Sequence, residues 1–346
     1  MKKIFRIARV ELSNQFYSPI AWLLLIIFIV QCGITFTDTL HNLLTTQQMS
    51  GLFPKSPDSN TTILLADKYR GMFPLILSKL FLYLPLLTMG LISREVSSGS
   101  IRLLYSSPVT TSQIVLGKFT AMVFYNLILT AILGIFAAIA CIFIPNAETG
   151  IALTGLLSVF LLLCTYAAIG LFMSCLTSYQ VVAALSTLAV FAFLQYIGTV
   201  WQGIDFVRDI TYFLSLGSRS QDMLDGLITS RDILYFIIIT TMFLLFSILR
   251  LKSDQEHKPL SLRIIRYAGV VLIALGIGYV TSRPGAIVYL DVTKQKTQTL
   301  ANYTQEQLKS TGDETLQMTA YVNLLDMRHM HGAATRRNDF LRTWEK

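Results

Sequence analysis

Long apolar runs alternate with shorter polar stretches along the whole chain, and the runs set its architecture. A hydrocarbon core of about 30 Å is crossed by roughly 20 apolar residues in helical form. Seven segments fit, at 19–39, 72–92, 119–144, 151–174, 181–200, 233–249 and 267–281, the last being the shortest. The third is long enough to tilt or to run past the bilayer at one end. The pattern predicts an all-α polytopic membrane protein whose seventh transmembrane helix leads to a tail of different character. Pro74 and Pro85 fall in the second run and are expected to kink it.

The polar stretches differ from one another. Residues 93–118 are longer than a reversal of direction requires. They carry Arg94-Glu95, a flexible Gly99, an amphipathic turn through Ile101, Leu103 and Leu104, then Pro108 and a second short helical start. Residues 40–71, with Pro54, Pro57 and a Ser/Asn/Thr cluster, are expected to be partly irregular. Residues 201–232 space their apolar positions helically among Asp205, Asp209, Asp222, Asp225 and Asp232. That predicts one or two amphipathic helices at the interface, broken near Gly217, with Trp201 as an interfacial anchor. From 282 onward AIVYLDV reads as a strand, TLANYTQEQLKST as a helix with Thr304 and Gln307 at capping-box spacing, and LQMTAYVNLL as a second strand. This is the opening of an extracytoplasmic α/β domain, and one β-α-β unit cannot bury a core alone, so the chain is expected to continue.

Composition agrees with the runs. Apolar residues make up 53% of the chain, charged residues 14%, and mean hydropathy is +0.57, well away from ordinary soluble domains. Cys32, Cys141, Cys164 and Cys175 all lie in or beside apolar runs and form no spaced framework. Lys2, Lys3, Arg6 and Arg9 precede the first run, which has no small-residue cleavage site and reads as an uncleaved helix. The polar stretches on the N-terminal side of the membrane (1–18, 93–118, 175–180, 250–266) hold 12 Lys and Arg in 67 residues, and those opposite (40–71, 145–150, 201–232) hold 6 in 70. The positive-inside rule then places the N-terminus in the cytoplasm and the tail outside.

Catalytic chemistry is not indicated. His41, His257, His329 and His331 lie on both sides of the membrane, and His329-Met330-His331 has no third ligand, so no metal is assigned. The phosphate-loop pattern fails at its one tempting place, because Gly117-Lys118 is followed by Phe119 and Ser112 stands where the first glycine belongs. Any ATP and Mg are therefore held by another polypeptide, and no cofactor is assigned to this chain. Asp38 sits at the outer end of the first run as an interfacial residue, and Lys79 is the clearest ionisable residue within a run. It fits either a pathway or pairing role, or a stem that snorkels past Ser78 toward the headgroups.

The ordered run from Pro85 to Phe119, PLLTMGLISREVSSGSIRLLYSSPVTTSQIVLGKF, resembles the signature of ABC-2 type permeases, in particular the gliding-motility GldF-type branch. The matching positions are Met89, Glu95, Ser98, Gly99, Ser100, Ile101, Leu103, Leu104, Pro108, Val109, Gly117, Lys118 and Phe119. Arg102 departs from the acidic residue usual there, and Arg219-Ser220 stand where the family has a His-Phe pair before GLITSRDILYF. The tail, with Asp291-Val292-Thr293 and Thr299-Leu300, resembles the start of a GldG-type auxiliary domain. Ile101, Leu103 and Leu104 fit either a partner protein or lipid, and Gly99 fits either a close backbone approach or a helix end.

The resemblance implies a six-helix permease domain over 1–250, a cytoplasmic linker over 251–266, the seventh helix over 267–281 and the auxiliary domain from 282 to 346. It implies coupling to an ABC ATPase subunit through Glu95, Gly99, Ile101, Leu103, Leu104, Pro108, Gly117 and Lys118. It also implies a dimer of permease modules surrounded by membrane lipids, with no role for nucleic acid, and transport in the export direction. The competing expectation is a membrane scaffold that anchors a periplasmic gliding or secretion machine without moving substrate.

Overall fold

A computed structural model describes residues 2–49, 64–67, 70–106, 108–144, 147–197, 216–255, 259–283, 287–294, 296, 299 and 303–306. The helices in chain order are α1 (Lys2–Tyr17), α2 (Pro19–Met49), α3 (Met72–Thr88), α4 (Ser93–Ser97), α5 (Ile101–Ser106), α6 (Thr111–Phe143), α7 (Thr149–Leu176), α8 (Gln180–Tyr196), α9 (Leu216–Leu224), α10 (Ser230–Gln255) and α11 (Leu260–Thr281). Two short strands, β1 (Leu227–Thr229) and β2 (Tyr289–Asp291), flank the α10–α11 hairpin and pair antiparallel, with Ile228 opposite Leu290.

Six stretches among the described residues are helical, long and apolar enough to cross a membrane: Pro19–Thr45, Met72–Ser97, Thr111–Phe143, Thr149–Leu176, Ser230–Gln255 and Ser261–Thr281. The seven-span pattern thus finds six. The difference is α8, whose 17 residues rise about 25 Å, short of a hydrocarbon core. The final span exceeds its apolar run because Pro259 caps a helix that starts among polar residues.

α7 is the hub. It packs against α3, α6, α8, α9 and α10, and 67% of its apolar window is buried, against 6% for α11. Its sequence explains this: apolar all round, it carries Ala152, Ser158, Thr165, Ala167, Ala168 and Ser174 where neighbours must come close. α11 leans chiefly on α10.

Two local expectations change. Pro74 stands in the first turn of α3, where an amide donor has no intrahelical partner to lose, so Pro85 is the proline inside that helix. α6 starts at Thr111, eight residues before its apolar run, because Thr110 and Gln113 form a reciprocal capping box (3.3 Å each way). α9 begins at Leu216 with Gly217 in its first turn, so the expected break near Gly217 falls where the described residues begin; the helix ends at Asp225-Gly226, where Gly226 takes φ +85° before β1. The strand expected in the tail is present as β2, and among the described residues it pairs with β1. Half of the 40–71 stretch, including Pro54 and Pro57, together with Trp201, Asp205, Asp209, His257, Gln307, the second tail strand, His329 and His331, lies outside the described residues.

Candidate functional site

The chain between α3 and α6 is built from two short helices and a tight turn. α3 ends at Thr88 and the backbone breaks over Met89–Ile92. The polar groups freed there are met by Ser174 of α7, whose hydroxyl accepts from Ile92 N and Ser93 N (both 3.0 Å) and donates to Met89 O (3.0 Å). A buried break of this kind would otherwise leave unpaired amides, each costing about 1–3 kcal/mol. Between α4 and α5 the turn passes through Gly99 at φ +73°, with open space around its Cα. At this φ Gly99 supplies the left-handed backbone that the turn requires.

The Leu-Leu pair splits between inside and outside. Ile101 is buried and Leu104 packs against the core, whereas Leu103 is 73% exposed. Val96, Gly99, Arg102 and Pro108 are exposed with it, giving an outward face with one prominent apolar side chain and one guanidinium. Tyr105 turns toward the far end of α10. Burial first, then the nearby Asp254 carboxylate, pushes its phenol up to about 12, so it stays protonated at physiological pH.

Behind this face lies a buried charge cluster that spans three elements. Lys118 of α6 is 2% exposed; its Nζ donates to Glu11 Oε2 of α1 (2.8 Å) and stands 2.7 Å from Glu95 Oε1 of α4. Arg94 Nη2 approaches Glu11 Oε1 at 3.8 Å. Two carboxylates and two cations therefore balance in formal charge. Glu95 Oε2 is buried with no hydrogen-bond partner among the described residues, and an open cavity of about 210 Å³ between α1 and Leu104 is lined by Glu11, Glu95 and Lys118.

α1 makes the arrangement possible. Its apolar positions Ile4, Ile7, Ala8 and Leu12 recur at helical spacing, with Glu11 and Gln15 on the same buried face. The helix lies along α6 so closely that a Cβ on Gly117 would stand 2.7 Å from Ile7 Cβ. Lys3 Nζ donates to Pro108 O (2.7 Å) at one end, and Gln15 Nε2 lies 3.0 Å from Met122 Sδ at the other. Gly117 and Lys118 are thus seats for α1 within the chain, not parts of the outward face. Lys79 is exposed on α3, in line with exposed Leu82 and Leu86, and is remote in sequence from this cluster.

A second buried ion pair closes the opposite end of α10. Arg219 Nη1 of α9 donates to Asp232 Oδ1 (3.2 Å), Thr229 Oγ1 donates to Asp232 Oδ2 (2.6 Å), and the guanidinium sits 5.3 Å from the Tyr235 ring centre. Arg219 stands where the permease pattern has a different residue, and this pairing occupies it. Sequence reasoning had given neither Glu11, Ser174 nor Arg219 a role in a site.

A multi-pass helical protein with a structured segment between its second and third long helices is a membrane permease in architecture. The profile of the ABC-2 family transporter protein matches residues 5–255, and the chain belongs to that family. No individually curated protein matches it. Members of the family are membrane components that normally pair with an ABC ATPase subunit.

Proposed function

We propose that this chain is the permease subunit of an ABC-2 type exporter and that residues 93–119 receive the motion of a separate ATPase subunit. The observation that carries the reading is the split within that segment. Leu103, Arg102, Val96 and Pro108 face outward, while Glu95 and Lys118 tie the same segment to α1 and α6. A surface that transmits force needs an exposed contact and a stiff backing, and both occur within 30 residues here. In this reading Leu103, Gly99 and Pro108 serve contact, and Glu95, Ile101, Leu104, Gly117 and Lys118 serve transmission.

The permease domain spans 1–250, with α8 completing the set of crossings. α11 is the seventh transmembrane helix, reached through the linker 251–266, and leads to an auxiliary domain from 282. The GldF-type and GldG-type assignments rest on the motif resemblance. Two permease modules pair in the inner membrane, with N-termini in the cytoplasm, and ATP and Mg reside on the ATPase. Lys79, on the open face of α3, is the candidate charge within the membrane. Export fits the absence of any capture motif for a substrate-binding protein.

Co-purification tests this. An ABC ATPase subunit is expected to purify with the intact chain, and Leu103→Asp or Gly99→Trp is expected to release it. An intact chain that never retains an ATPase, together with unaltered function in both variants, would instead favour the scaffold reading.

A further inference from the structure

α7 holds the break between α3 and α4, and it meets α3 again at both ends of that helix. Phe73 stands over Gly155, where a Cβ would collide with its ring, and Thr88 stands over Gly170, where a Cβ would collide with its hydroxyl. Ser174 Oγ then accepts from Ile92 N at 3.0 Å. Each of these three pairs is separated by 82 residues in sequence, so the two helices run parallel in one register. From Gly155 to Ser174 that register covers about 28 Å of α7, close to the full hydrocarbon thickness. It is also locked. One turn to either side of its glycines α7 carries Ile151, Val159 and Tyr166, all buried, so a slide would drive Phe73 or Thr88 into a side chain. Pro85 lies between the two glycine contacts, and a bend there would have to break one of them.

We infer that α3 and α7 move as a single body, and that the Ser174 hydroxyl is the joint through which the coupling segment drives it. Ser174 Oγ meets Ile92 N, Ser93 N and Met89 O at once. Ile92 O in turn starts α4, accepting from Glu95 N (2.9 Å) and Val96 N (3.0 Å). Ile92, Ser93 and Ser174 are fully buried, so α4 cannot part from α7 without leaving unpaired amides in a dry interior. Further along α7, Ser158 Oγ donates to Ser220 O of α9 (3.2 Å), and the Thr165 and Thr240 hydroxyls join α7 to α10 (3.0 Å). The inference rests on the coupling reading and gives it a second output. Glu95 and Lys118 tie the segment to α1 and α6, whereas Ser174 passes its displacement into α7 and onward to α9 and α10.

The test uses the full chain with an ABC ATPase subunit in nanodiscs, spin-labelled in pairs at exposed positions and measured with and without ATP. Labels at Leu153 and Leu82 read α7 against α3, and labels at Leu153 and Ile34 read α7 against α2. ATP is expected to shift the second distance and leave the first unchanged. Ser174→Ala is expected to bind the ATPase with the affinity of the unaltered chain yet lose at least about half of that shift, since the bonds at the joint are gone. Ser174→Thr, which keeps the hydroxyl, is expected to recover it. An equal shift in both pairs, no shift in either, or a full shift in Ser174→Ala would overturn the inference while ATPase binding stands. If the ATPase does not bind the unaltered chain, the coupling reading fails and this inference falls with it.

Discussion

Two buried ion clusters, one at the N-terminal end of α10 and one joining α1, α4 and α6, are built differently. Beside β1, Arg219 and Asp232 are 13 residues apart; the carboxylate accepts from Arg219 and from Thr229 Oγ1, and the Asp232 backbone N–H in turn donates to Thr229 Oγ1. The pair closes a local turn between α9 and α10. In the other cluster Lys118 meets Glu11 from 107 residues away and Glu95 from the helix between, beside an open cavity, with Glu95 Oε2 unbonded among the described residues. The first is a finished clasp. The second is a junction of three elements distant in sequence, held by charge and left partly unsatisfied. Buried charge in one place fixes a turn; in the other it ties α1 and α4 to α6.

The comparison can be broken at several points. Lys118→Met should have the largest effect, because it strands two buried carboxylates. Breaking a buried pair costs about 3–5 kcal/mol, and thermal unfolding in nanodiscs would read it together with loss of ATPase coupling. Asp232→Asn should destabilise by a similar or smaller amount, since Arg219 keeps its position over Tyr235, yet leave ATPase binding unchanged. Equal damage to coupling by both variants would erase the distinction between the two clusters. Gly117→Val forces Ile7 away and should cost about 1–3 kcal/mol as overpacking, with α1 becoming accessible to protease. Ser174→Ala should cost about 1–3 kcal/mol by orphaning Ile92 N and Ser93 N, read as faster amide exchange at the α3–α4 break. Lys3→Ala removes one exposed bond to Pro108 O and should cost about 0.5 kcal/mol.

Much of the fold is legible in the chain because lipid imposes a length rule that composition must obey. The runs around Phe28, Leu80, Leu133 and Leu163 could be nothing but helices, and the elaborate segment between Ser93 and Phe119 stands out against them. The inward or outward direction of each side chain there is not legible. Leu103 and Leu104 are equivalent in sequence, and only the placement of α5 against the core separates them. Lys118 reads as a surface charge until Glu11 is brought to it by α1. A signal for that was present, in a carboxylate and an amide at Glu11 and Gln15 sharing the apolar face of Ile4, Ile7, Ala8 and Leu12. The β1–β2 pairing joins residues about 60 apart across two helices, a register no local pattern encodes.

The central claim is that contact and bracing are separate within one segment, and the affinity of the ATPase subunit for Leu103→Asp in nanodiscs tests it most directly. A charge placed on a surface-exposed leucine should leave the unfolding temperature where it was and weaken ATPase binding by at least about tenfold, the loss of one apolar anchor at an interface. Unchanged binding by Leu103→Asp, with the same unfolding temperature, would contradict the account.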